Sequence, residues 1–364
     1  MIRNKCVVCG GENLFVFLSY DMPVYNSDID PTSDFEVEKM NFSECEDCNC
    51  VQLKNLVDPS KVYQHNHNQQ IVGSIWDNHY YKFKNFIGDI NKKNILEISD
   101  PSAKIAKISE GFQKWYIVEP HSSLDLEKKN IFFIKKYFDN DFEIEDKLDL
   151  IIHSHFFEHT YDPINFFEKC NSLLSDDGKM YASIPNLESI LNSGYNPNSV
   201  LSFEHTFFYD IDILNFIANK SGFKVEKMEY YLNHSIFIEF SKSKEFIKNV
   251  YKFNKYSQIF LDSYNSHLSM INYVNEQSGE LILFGCHVSS QFLIYNGLQT
   301  NKIKFIVDNS KDKQNKILYG TNLLTHSPDD LIGIPYKIIV SHMGVYANEI
   351  RNGLLEKNNQ LTFL

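Results

Sequence analysis

The sequence predicts an α/β protein of parallel, helix-covered sheets with a small cysteine-rich unit in front of them. Three observations carry that prediction. From residue 94 short apolar runs alternate with helix-length intervals. The alternation restarts near residue 279, after a long stretch without Gly or Pro. The first 70 residues hold five of the seven cysteines and only short apolar runs such as "LFVFL".

At 364 residues the chain exceeds one ordinary core, and its 43% apolar content suffices to fill two or three. The charge is acidic, with 35 Lys and Arg against 47 Asp and Glu, a net −12. Such a balance argues against nucleic acid as a partner, because a phosphate-backbone binder needs a basic face; a local basic pocket for one diphosphate stays open. The opening "MIRNKCVVCGGENLF" has no signal-type apolar region, and no run approaches the roughly 18 apolar residues of a membrane span. The expectation is a cytoplasmic protein with no membrane partner.

Residues 1–70 are read as a metal-stapled domain. Cys6-x2-Cys9 and Cys45-x2-Cys48 are two knuckles whose thiolates can converge on one tetrahedral Zn²⁺, and a closed four-sulfur shell makes the site structural. Cys50 is a spare thiol or an alternative ligand.

Residues 71–240 form the next domain, with strands expected at "NILEI", "KWYIVEP", "LDLIIHS" and "GKMYASIPN". The first ends in Glu97, and the turn "SDPSA" that follows places Ser99 and Ala103 where a nucleotide-binding turn has glycines, with Asp100 between them and Pro101 stiffening the loop. The second ends in Glu119, followed by Pro120; an acid there is placed to accept hydrogen bonds from the two ribose hydroxyls of a nucleoside cofactor. An ordinary strand–helix crossover would read the same way. Further on, apolar residues at helical spacing from Ile211 to Ile217 stop at Gly222 and a strand follows. Residues 241–277 read as a helical connector, helical from 243, and residues 278–364 as a smaller doubly wound domain carrying "GELILFGCHVSSQFLIYNGL", "KIKFIVDNS" and "YKIIVSHMG".

Two Glu-His pairs stand inside aromatic runs, "FFEHTYDP" at 156–163 and "SFEHTFFY" at 202–209. The stretch around the first, "LDLIIHSHFFEHTYDPINFFEKCNSLLSDDGKMYASIPN", resembles the later part of a class I S-adenosylmethionine (SAM) methyltransferase. Together with "CVVCG", "MPVYNS", "CEDCNCVQL" and "KFIVDNSKDKQNKILYGTNLL", the chain is similar to the zinc-containing, three-domain sugar C-methyltransferases. That resemblance implies a class I Rossmann-like methyltransferase domain between a zinc-binding domain and a C-terminal Rossmann-like domain. It implies SAM as cofactor and a nucleotide-linked ketodeoxysugar as substrate, methylated on the carbon next to the ketone.

The family's Glu-His motif carries over to Glu204 and His205. His205 would remove the α-proton, an imidazole being suited to that near neutrality, Glu204 would orient it or bind a sugar hydroxyl, and Tyr209 would offer a hydroxyl nearby. A His in an aromatic run is also commonly a core residue. Glu158 and His159 are read as structural, closing a loop and favouring the N-terminus of a helix from Asp162. His153 and His155, at the strand end, would line the methionine part of SAM.

Three features depart from the family. The glycine-rich turn is "SDPSA"; the tyrosine before the Glu-His pair is replaced around Ser202 and Phe203; and the segment after the zinc site offers Tyr63, His65, His67 and Asn68. They leave two other readings, an O-methyltransferase on a nucleotide sugar and a non-catalytic sugar-nucleotide or partner-binding scaffold with an eroded SAM site. Nothing in the sequence fixes an oligomeric state.

Overall fold

A computed structural model describes residues 1–31, 34–63, 74–120, 130–244, 252–333, 335–339 and 347–364. The N-terminal part contributes β1 (Leu14–Pro23), β2 (Asp28–Ile29), β3 (Val37–Cys45), β4 (Val51–Leu53) and the short helix α1 (Pro59–Val62). An antiparallel sheet runs in the order β1-β3-β4.

The middle of the chain begins with α2 (Ser74–Ile87), β5 (Asn94–Ile98), α3 (Lys104–Lys107), β6 (Lys114–Val118), β7 (Ile131–Ile134) and β8 (Leu148–Ser154). It continues through α4 (Pro163–Leu173), β9 (Leu174–Pro185), α5 (Leu187–Asn192), α6 (Ile211–Lys220), β10 (Phe223–Tyr231) and β11 (Ser235–Lys242). These strands form one seven-stranded sheet, β10-β11-β9-β8-β5-β6-β7. β5 to β9 pair in parallel, whereas β11 is antiparallel to both its neighbours. The chain starts in the interior at β5, runs out to β7 and returns to β8. The strand order therefore reverses between β5 and β8, and a ligand crevice is expected beyond the carboxyl ends of those strands. This is a Rossmann-like sheet.

The rest of the chain holds α7 (Ser257–Glu276), β12 (Leu281–Phe284), α8 (Val288–Tyr295), β13 (Ile303–Val307), β14 (Ile317–Leu318), β15 (Thr325–His326), β16 (Lys337–Ile339), α9 (Ala347–Lys357) and β17 (Thr362–Phe363). Its five-stranded sheet, β15-β13-β12-β16-β17, is parallel throughout. β14 pairs instead with β2, linking the two ends of the sequence.

Strand periodicity distributes the core. Leu281 and Leu283 of β12 face an apolar cluster that also contains Met22, Phe42, Phe208 and Phe260 and so runs continuously under all three sheets. Ile282 and Phe284, alternating with them, join a separate cluster with Val307 and Leu354 under α9. In the same way Leu96 and Ile98 of β5 face the continuous cluster, while Ile95 turns to Phe83, Trp115 and Phe237 beneath α2. Strands buried on both faces explain why these runs read as uniformly apolar.

One expectation needs correction. The helical connector does not begin at 243: the described helix starts at Ser257, after irregular residues 252–256. Nor is it a free spacer, because Phe260, His267, Ile271 and Val274 form a buried helical stripe, and Phe260 packs on Phe17, Phe42 and Phe208. The helix after the "SDPSA" turn is only four residues long.

Candidate active site

Each cysteine knuckle closes through local backbone bonds. Gly10 N–H donates to the Cys6 carbonyl at 2.9 Å and Asn49 N–H to the Cys45 carbonyl at 2.7 Å. Both donors hold left-handed backbone, φ +81 and +67, the conformation that lets so tight a turn close. The four Sγ atoms of Cys6, Cys9, Cys45 and Cys48 lie within 4.8 Å of one another, with Cys6–Cys48 at 3.7 Å and Cys9–Cys45 at 3.6 Å. Hydrogen bonding from Cys48 and Cys6 lowers the Cys45 thiol to about 7. Cys50 lies outside the quartet, its Sγ directed to the carbonyls of Val51 and Phe208.

The two Glu-His pairs, 46 residues apart in the chain, meet in space. His159 and His205 pack edge to face, with centroids 4.7 Å apart and an interplanar angle of 84°. His159, read from sequence as structural, thus lies directly beside the second pair. Its 3-10 turn, Phe157–His159, projects the ring toward Glu204 Oε2 at 4.0 Å, and Tyr63 Oη shares a 2.9 Å hydrogen bond with its Nδ1. Tyr63 thus brings a phenol beside the two Glu-His pairs. The expected cap is present on the next helix, where the Asp162 carboxylate accepts the Asn165 N–H.

Several interactions fix the second pair. Ser202 Oγ accepts the N–H groups of both Glu204 and His205 at 3.3 Å, and Asn26 Nδ2 donates to Glu204 Oε1 at 2.8 Å. Arg3, buried beneath both loops, donates to the Thr206 carbonyl at 2.7 Å, to Thr206 Oγ1 at 2.9 Å and to the Tyr161 carbonyl at 2.9 Å. It fastens the two loops to each other. Sequence reading missed Arg3; the available signal was that it is one of only two arginines in a lysine-rich chain.

Two atoms aim into this group without a hydrogen bond among the described residues, Glu158 Oε2 and His205 Nδ1. Burial raises the Glu158 carboxyl above its usual range. Ligand atoms of Glu158, His159 and His205 lie within 4.8 Å of one another, so the same set has the donor types for a divalent cation. Tyr209, expected to offer a hydroxyl, is instead a packed residue: 2% exposed, ring against Phe157 and Phe207, hydroxyl donating to the Pro185 carbonyl at 3.3 Å. His65, His67 and Asn68 lie outside the described residues.

At the crevice beside β5, Ser99 and Ala103 have φ +58 and +52, so the turn keeps the left-handed backbone of the glycines it lacks. Ser99 Oγ donates to Glu119 Oε2 at 3.2 Å. Asp100 is engaged within the turn, accepting from Ser102 N–H and Oγ–H and from Lys104 N–H. Glu119 is 6% exposed and Pro120 half-buried beside it.

Glu97, proposed from sequence as a cofactor residue, faces the other way. It is fully buried, accepts the Trp115 indole N–H at 2.7 Å, and burial and Asp100 hold its carboxyl well above the usual range. The alternation that turns Ile95 beneath α2 turns Glu97 there too. His153 is likewise corrected: it is 0% exposed, on the α4 face of β8, with its ring 5.4 Å from Phe166. His155 stays at the strand end with a partly exposed ring, left-handed at φ +52, its Nε2 3.0 Å from Ser235 Oγ and its Nδ1 3.4 Å from Glu158 Oε1.

Residues 56–228 match the model of a family described as "Methyltransferase domain", a span covering β5 to β9 and both Glu-His loops. The match covers just under half of the chain and makes this span similar to a methyltransferase domain, in keeping with the reversed strand order of its sheet. Among solved structures the chain is similar to the 1,6-didemethyltoxoflavin-N1-methyltransferase of Burkholderia thailandensis with bound 1,6-didemethyltoxoflavin and S-adenosylhomocysteine: 9% identity, 55% of this chain and 99% of that one, TM-score 0.39. It is also similar to the N-methyltransferase NodS of Bradyrhizobium japonicum WM9 in complex with S-adenosyl-L-homocysteine: 8% identity, 50% of this chain and 94% of that one, TM-score 0.37. No curated protein matches the sequence.

Proposed function

We propose that the protein transfers the methyl group of SAM to a carbon of a nucleotide-linked ketosugar, with His205 as the base that forms the enolate. The observation that supports this reading is the meeting of the two Glu-His loops: a half-buried His205, edge-on to His159, with Glu204 tethered by Asn26 and a phenol from Tyr63 beside it. A proton on carbon α to a carbonyl is weakly acidic, and an imidazole held within reach of it is a suitable acceptor. Glu204 keeps the ring pair oriented and favours the imidazolium that forms. Tyr63 would donate toward the developing enolate oxygen, through His159 or directly.

SAM, when bound, supplies an electrophilic methyl group. Glu119 would accept from its ribose hydroxyls, and the backbone of Ser99, Asp100 and Ala103, with Pro120 and His155, would border it. The four-cysteine cluster is assigned to zinc. Zn–S bonds of about 2.3 Å in a tetrahedron place sulfurs about 3.8 Å apart, close to the 3.6 and 3.7 Å found. Such a centre is structural and completes the unit from which Arg3, Asn26 and Tyr63 reach the base.

The test is solvent exchange. A nucleotide-linked ketodeoxysugar incubated with the protein in deuterated water, without SAM, should take up deuterium at the α carbon. His205→Asn should slow that uptake by about 10²- to 10⁴-fold; uptake at the wild-type rate would remove His205 from the role.

A further inference from the structure

Glu158 has no part in the proposed proton transfer, yet it is enclosed beside His205. Its residue is 1% exposed, Oε1 lies 3.4 Å from His155 Nδ1, and Oε2 has no hydrogen-bond partner among the described residues. His205 Nδ1 is likewise buried without one. A buried carboxylate oxygen and a buried ring nitrogen left unpartnered are costly, and each such group calls for something that satisfies it. Ligand atoms of Glu158, His159 and His205 lie within 4.8 Å of one another. One carboxylate and two imidazoles are a ligand set for a first-row divalent metal ion, with coordination positions left open. Tyr63 Oη, 2.9 Å from His159 Nδ1, orients the second ring. Glu204 Oε2, 4.0 Å from the same nitrogen, brings another carboxylate, so that two negative charges stand against the two positive charges of the ion.

We propose that Glu158, His159 and His205 bind one divalent transition-metal ion, separate from the cysteine centre, and that the ion competes with the α-proton for His205. A neutral imidazole has a single ring lone pair. Once that pair is bonded to a metal, the other nitrogen carries hydrogen and accepts no proton near neutrality. The ion therefore inhibits enolate formation and takes no part in it. The competition rests on the reading of His205 as the base; the metal site itself does not.

Ni²⁺ is a suitable probe, because imidazole nitrogen binds it well. Calorimetric titration of the full, zinc-loaded chain with Ni²⁺ should show one equivalent bound beyond the zinc. Glu158→Gln and His159→Asn, checked for folding by zinc content and thermal melting, should each bind that equivalent at least about tenfold more weakly. No additional equivalent, or undiminished affinity in either variant, overturns the site while leaving the methyltransferase reading intact. With a nucleotide-linked ketodeoxysugar in deuterated water, one equivalent of Ni²⁺ should slow deuterium uptake by the wild type at least about tenfold. Glu158→Gln, whatever its own rate, should need about tenfold more of the ion for the same slowing. An unchanged rate in the nickel-loaded wild type overturns the competition. Absence of uptake without nickel removes the base reading and the competition with it, and the titration alone then decides the metal site.

Discussion

At the scale of single residues, histidine takes three different roles according to its surroundings. His205 and His159 sit in the two Glu-His loops, held by Ser202, Tyr63 and Glu204, with their rings packed edge to face. His79 and His153 are wholly buried, the first sharing a 2.8 Å hydrogen bond with Ser183 Oγ, the second between Phe156 and Phe166. Burial lowers His79 to about 2 and His153 to about 3. These two are neutral in the folded protein at any moderate pH, whereas in the unfolded chain they take up protons below about 6.5. Their contribution to stability is therefore complete above about pH 6.5 and is lost as pH falls toward 3, by roughly 1.4 kcal/mol per pH unit for each. Thermal melting followed from about pH 7 to pH 5 should show a falling midpoint, and His153→Leu should fall less. An acid limb identical in the variant would show that His153 does not carry a share of it.

At the scale of elements, the strands were legible because their runs are apolar on both faces, and the helix from Asp162 because Asp-Pro is a strong start signal. The knuckle spacing was equally plain, since two Cys-x2-Cys pairs leave little freedom for the sulfurs. What sequence could not supply was the side each residue faces. Glu97 follows the strand alternation beneath α2 rather than into the crevice, Tyr209 is taken up by Phe157 and Phe207, and His159 enters the site because a 3-10 turn rotates it there. The meeting of loops 46 residues apart, fastened by Arg3, depends on tertiary packing and leaves no local pattern. The cysteine quartet sets the element-scale prediction. On the zinc assignment the wild-type chain should carry one zinc per chain, and Cys45→Ser should lose it, measured as metal content, with a lower melting midpoint, because metal-binding energy in so small a unit is folding energy. Full zinc retention in the variant would place the metal elsewhere.

At the scale of the whole molecule, the continuous apolar cluster matters most. Residues from the N-terminal sheet, the seven-stranded sheet and the C-terminal sheet share one core, and β2 pairs with β14 across nearly 290 residues of chain. The Glu-His loops are consequently buttressed on several sides: Arg3, Asn26 and Tyr63 arrive from the N-terminal part, while Asp28 beside Asn26 is paired with Lys316 at 2.7 Å. On the proposed mechanism, a base held this way would need little rearrangement to meet its proton, which is how positioned groups lower a barrier. The most direct measurement is the structure of the product. After incubation with SAM and a nucleotide-linked ketodeoxysugar, mass spectrometry and NMR should find one added methyl group bonded to the carbon next to the ketone; a methyl group on oxygen, or unaltered sugar from a preparation that binds SAM, would contradict the account.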